Sequence, residues 1–131
     1  MYGFLLVALG GAFGASLRYG IGLSAMRLLP EGWPWGTFIV NSLGSLLMGL
    51  VAGWLIARHI SLQGPAGLFL LTGLLGGFTT FSAISLETAQ MLRSETFLKA
   101  AAYTGSTLAL GVSALFLGLW IATHIYQQGT V

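Results

Sequence analysis

The residues Thr72-Gly-Leu-Leu-Gly-Gly-Phe-Thr-Thr-Phe-Ser-Ala-Ile-Ser85 set paired glycines and a hydroxyl cluster inside a segment otherwise apolar enough for a membrane. A helix is expected to break there. Lipid cannot hydrogen-bond freed backbone groups, so such a break is tolerated only where protein buries it or a polar cavity adjoins it. Carbonyls released around Gly76, Gly77, Phe78, Thr79 and Thr80 suit a hard cation, which prefers oxygen ligands, and a small alkali ion fits that description. Two carbonyls per chain would give four about a two-fold axis, so a dimer would complete a site that one chain cannot. Beyond the break, Phe81 and Ser85 share a helical face with Ser82 beside them. An aromatic ring has a positive edge and serine hydroxyls donate, so both can meet a small anion, although a lone phenylalanine is more simply a packing residue.

Other polar groups stand at membrane depth. Asn41, in Gly36-Thr-Phe-Ile-Val-Asn-Ser-Leu-Gly44, offers two donors and an acceptor. Such an amide either ties neighbouring helices, at about 1 kcal/mol per bond, or donates to a passing anion. Tyr103, Thr107 and Gly111 fall on one face at i, i+4 and i+8, giving a hydroxyl track if the threonine does not bond back to its own helix. Arg18 lies well inside the first apolar run, where a charge is costly and must face protein or water. Glu87 is the one carboxylate within a span. His59 and His124 sit at helix ends without a neighbouring carboxylate or thiol and read as solvated interface side chains.

These groups need a frame, and composition names it. The 131 residues are 56% hydrophobic with five basic and three acidic side chains, against roughly 25% charged residues in soluble domains. An all-α integral membrane protein is expected, one transmembrane domain over residues 1–131, with four spans at about 20 apolar residues each. They are placed near Tyr2 to Leu29, Pro34 to Arg58, Pro65 to Leu92 and Thr96 to Tyr126. The first lacks the charged n-region and cleavage site of a secretory signal and is kept as structure. Trp33 and Trp35, beside Pro30, Glu31, Gly32 and Pro34, suit an interface turn. Gly10, Gly14, Arg18 and Gly22 on the first span, and Ser45, Gly49 and Gly53 on the second, recur every four residues, and the small ones permit close helix approach. The absence of Cys rules out disulfides and thiolate metal sites, and a net charge of +2 with no basic run gives no footprint for nucleic acid. Flanking charge is nearly balanced, with Arg27, Arg93 and Lys99 on one side and Arg58 plus the terminal amine on the other. So weak a positive-inside bias is compatible with insertion in both orientations and with an antiparallel, dual-topology homodimer. A fixed topology with Arg27 and Lys99 in the cytoplasm is the plainer alternative.

Taken together, Gly11-Ala-Phe-Gly-Ala-Ser-Leu-Arg-Tyr19, Gly36-Thr-Phe-Ile-Val-Asn-Ser-Leu-Gly44 and above all Thr72-Gly-x-x-Gly-Gly-x-Thr-Thr-Phe-Ser82 resemble the small bacterial fluoride channels, Fluc or CrcB, over nearly the whole chain. The resemblance implies four helices per chain with the third broken at mid-membrane. It also implies a dual-topology antiparallel homodimer in the inner membrane, with two fluoride pores that export cytoplasmic fluoride and a structural, non-transported sodium ion at the centre. On this pattern the sodium falls to the backbone carbonyls of Gly76 and Thr79. The pore asparagine maps to Asn41, the pore phenylalanine to Phe81, and the polar track to Ser82, Ser85, Tyr103 and Thr107. Arg18 and Glu87 match charged positions near the pore entrances. Ile84 stands where the family usually has a second phenylalanine, Ala83 where it has a track threonine, and Gly111 where a track serine often occurs.

A different function class fits the same size: a proton-coupled cation carrier of the small multidrug type. Such a carrier wants a carboxylate in its first span, where this chain has Arg18, so Glu87 would have to serve. A non-transporting assembly subunit would have no use for the hydroxyl track. An enzyme is not expected, because no Asp or Cys occurs and neither histidine has a partner with which to form a catalytic set.

Overall fold

The computed structural model describes residues 1–127, and among them all regular structure is helical. Four runs are long and apolar enough to cross a membrane: Tyr2–Leu28, Trp35–Ala57, Pro65–Ser94 and Phe97–Tyr126. Their limits fall within two residues of those expected from hydropathy and turn chemistry. The first two are α1 (Tyr2–Leu28) and α2 (Trp35–Ala57). The third run holds α3, residues 65–78, and α4, Phe81–Ser94, and the last is α5, Phe97–Gln127. Within α3, Leu68–Leu75 winds more loosely, in π fashion. Even the 23 residues of α2 reach about 34 Å at 1.5 Å per residue, enough for a hydrocarbon core of about 30 Å.

The turns are built locally. After α1 the chain reverses at Gly32, whose φ is +93°, and the indole N–H of Trp35 donates to the Pro30 carbonyl at 3.2 Å. His59, at φ +54°, takes the left-handed position that commonly ends a helix; its N–H donates to the Ile56 carbonyl at 3.0 Å and that of Ile60 to Leu55 at 2.9 Å. Both histidines are exposed, and the His124 ring rests on Trp120 with centroids 4.5 Å apart. Between α4 and α5, Lys99 pairs with Glu95.

The helices pack as two intimate pairs, α1 with α3 and α2 with α5, joined by smaller α1–α2 and α4–α5 contacts. Small residues make that intimacy possible. A Cβ on Gly14 would strike the Leu74 carbonyl, while Gly49 and Gly118 face the Leu115 and Leu46 carbonyls across the α2–α5 seam with no room for a side chain. Phe4, Phe13, Phe97, Phe116 and Trp120 are exposed, as apolar side chains in a lipid solvent can be. The fully buried side chains are few, and two of the four largest carry hydroxyls: Tyr103 and Thr107, beside Leu55 and Val40. The interior is therefore organised around polar contacts as well as apolar packing.

Candidate functional site: a polar break between two cavities

Helical winding stops at Phe78 and resumes at Phe81, with Thr79 (φ −82°, ψ 159°) and Thr80 (φ −154°, ψ 117°) extended between them. Thr79 still donates its N–H to the Leu75 carbonyl at 3.0 Å. Thr80 begins the next helix as its cap, its hydroxyl accepting the Ala83 N–H at 3.2 Å, the bond for which Ser and Thr are favoured at that position. Across from it, Asn41 of α2 is buried and holds the Thr80 peptide from both sides. Its Oδ1 accepts the Thr80 N–H at 2.8 Å, and its Nδ2 donates to the Thr80 carbonyl at 3.1 Å and to the Thr37 carbonyl at 3.0 Å. Arg18 reaches from α1, its Nη1 lying 3.5 Å from the Thr79 carbonyl.

Two cavities adjoin this backbone, and Thr80 lines both. The larger, about 640 Å³, is lined by Arg18, Trp33, Thr37 and Glu87 among others. There the Glu87 carboxylate accepts the Thr37 hydroxyl at 2.7 Å and the Tyr103 hydroxyl at 2.5 Å, which ties α2, α4 and α5 to one side chain. Tyr103 is held in turn by Trp33, whose ring meets it edge to face at 5.5 Å. The smaller cavity, about 230 Å³, brings together Asn41, Ser45, Thr79, Phe81, Thr107 and Gly111. Ile84, the departure from the double-phenylalanine pattern, also lines it.

Of the residues singled out by sequence, Asn41, Phe81 and Thr107 thus meet at one cavity, and Arg18 and Glu87 at the other. Tyr103 does not open onto the smaller cavity with Thr107; its hydroxyl is given to Glu87, while the Thr107 hydroxyl donates to the Tyr103 carbonyl at 2.7 Å. Ser82 and Ser85 are exposed outside both linings, Ser85 donating to the Phe81 carbonyl at 3.1 Å and Ser82 sharing a 3.1 Å hydrogen bond with the Thr80 hydroxyl. Gly76 is exposed one turn before the break. Sequence reasoning passed over Thr37 and Thr80 as individuals. Thr37 had a signal, lying four residues before Asn41 and so on its face, and Thr80 had another, as a threonine directly before a restarting helix.

The match to known proteins follows this geometry. Residues 5–119 fit the family model described as CrcB-like protein, Camphor Resistance (CrcB). The chain belongs to that family. A Hyphomonas neptunium protein named Fluoride-specific ion channel FluC is 64% identical to this CrcB-like chain over 126 residues, covering 96% of the chain and 99% of the relative. Proteins of the same name from Caulobacter sp. (strain K31) and Thermus thermophilus are 50% and 48% identical, covering 94% and 88% of the chain and 96% and 90% of themselves. The CrcB-like chain is accordingly a multi-pass membrane protein.

Proposed function

We propose that the chain is a fluoride-selective passive channel of the bacterial inner membrane, working as an antiparallel, dual-topology homodimer with two pores, and that it exports cytoplasmic fluoride. The observation that carries this reading is the polar break at Thr79 and Thr80, held by Asn41 between a cavity bearing Arg18 and one bearing Phe81 and Thr107. The names of the relatives support fluoride as the ion.

The donors near the break are already engaged with protein acceptors. Thr107 gives its hydrogen to the Tyr103 carbonyl, Ser85 to the Phe81 carbonyl and Tyr103 to Glu87. An anion arriving beside such a hydroxyl gains it by a rotation about one side-chain bond. At Thr107 and Ser85 the hydroxyl exchanges a neutral backbone acceptor for a charged one, and charge-assisted bonds are roughly twice as strong as neutral ones; Tyr103, already on a carboxylate, makes no such gain. Each step replaces part of the ion's water shell without a fixed vacancy between steps. Arg18 supplies positive potential at the larger cavity, and the edge of Phe81 offers a weakly positive surface in the smaller. A narrow path lined this way favours the smaller halide over chloride.

The dimer has two supports. Phe81 is 70% exposed on a cavity left open in the single chain, so a second copy would supply the missing wall, and the flanking charges permit both orientations. A structural sodium ion on the axis fits the chemistry of the break: extended backbone at Thr79 leaves the last carbonyls of α3 without helical donors, and oxygen ligands suit a hard cation. Gly76 and Thr79 would hold it, two carbonyls from each chain.

The test is efflux from liposomes holding the purified protein, with fluoride and chloride compared at the same potential and sodium present. Fast fluoride efflux with little chloride is expected. Folded, dimeric protein that passes neither ion would overturn the channel reading.

A further inference from the structure

In an unbroken α-helix the N–H of residue 80 belongs to the carbonyl of residue 76. The ladder holds one residue earlier, where the Thr79 N–H donates to Leu75 at 3.0 Å. At Thr80 it is diverted: the N–H goes to Asn41 Oδ1 at 2.8 Å. The Gly76 carbonyl therefore loses its helical donor, and a side chain from another helix takes that donor. The same amide donates to the Thr80 carbonyl at 3.1 Å and to the Thr37 carbonyl at 3.0 Å, so both its N–H groups are spent on fixing its orientation. Asn41 is 8% exposed; turning the amide over would bury several unpaired polar groups, each at a cost.

We infer that Asn41 is the positioning residue for the cation site: by accepting the Thr80 N–H it keeps the Gly76 carbonyl free to bind sodium. This rests on the axial cation proposed above. It changes what Asn41 is for. With both hydrogens committed to backbone carbonyls, the amide acts first on the break and through it on the dimer axis. Gly76 itself is exposed and carries no Cβ, and the Thr79 carbonyl has the long 3.5 Å contact with Arg18.

The experiment follows the thermal midpoint and dimer fraction of the purified full-length protein in detergent as sodium replaces a bulky organic cation at constant ionic strength. A ligand that binds only the native state raises the midpoint, so the unaltered protein is expected to respond to sodium. Asn41→Leu is similar in size but has no acceptor, and it returns the Thr80 N–H to Gly76. Its half-maximal sodium concentration is expected to rise about tenfold or more, the equivalent of about 1.4 kcal/mol. Asn41→Ala, which opens space instead of filling it, gives the same loss. A leucine or alanine variant with an undiminished response overturns the inference and leaves the cation site standing. No sodium response in the unaltered protein overturns the cation site and the inference together.

Discussion

Replacing Glu87 with Gln separates passive conduction from proton-coupled transport. The carboxylate accepts hydroxyls from Thr37 and Tyr103 at 2.7 and 2.5 Å. Hydrogen bonds to a charged acceptor contribute about 1.5–3 kcal/mol against about 0.5–1.5 for neutral ones, so neutralisation is expected to cost about 1 kcal/mol per bond and about 2 in all. Neither hydroxyl is orphaned, because one can turn to accept from the new amide. The effect on anions has the opposite sign. A sphere of 640 Å³ has a radius of about 5 Å, and one charge at that distance in water repels an anion by about 0.8 kcal/mol. Removing it should raise anion occupancy of the larger cavity up to roughly fourfold at low ionic strength, less with salt screening. Liposome efflux at low fluoride is the assay, with fluoride flux in Glu87→Gln equal to or above that of the unaltered protein as the expected outcome. Flux at background in a folded dimer would refute this reasoning and give Glu87 a proton-carrying role.

Four further substitutions address other parts of the account. Phe81→Ala removes the ring that lines the smaller cavity, and fluoride flux should fall; unchanged flux would take the ring out of the path. Tyr103→Phe deletes the hydroxyl on Glu87 and should lower stability by about 1–3 kcal/mol, read as an unfolding midpoint, and a neutral result would mean that this bond adds nothing. Gly14→Val drives a side chain into the Leu74 carbonyl and should cost about 2 kcal/mol or more. Gly20→Val, where nothing lies within 4 Å of the added Cβ, should be nearly neutral, and equal losses at both sites would argue against the α1–α3 seam.

The four spans were legible because Pro, Gly and Trp punctuate apolar runs of membrane length, and turn chemistry of that kind is local. The polar break was legible only in outline. Paired glycines drew attention to Gly76 and Gly77, yet the extended residues are Thr79 and Thr80, because Gly76–Phe78 keep helical backbone and Thr79 still bonds to Leu75. Nothing local marks the loose winding of Leu68–Leu75. The hydroxyl track was read from helical spacing, which places side chains on a face but does not say where their hydrogens go. Tyr103 turned to Glu87, sixteen residues away, and Asn41 to Thr80, thirty-nine away. Such partnerships are set by which helices become neighbours, and helix pairing here is decided by small residues such as Gly14, Gly49 and Gly118 that recur on several faces at once.

The most direct measurement is the reversal potential of the purified protein in a planar bilayer, with a tenfold fluoride gradient, equal chloride on both sides, and pH first equal and then different across the membrane. A passive fluoride-selective channel reverses at about 59 mV, the value for one charge and a tenfold ratio, and stays there when the pH gradient is imposed. A reversal well below that value would show that chloride passes too, and a potential that moves with the pH gradient would show that protons are coupled to the flux; either result contradicts the account.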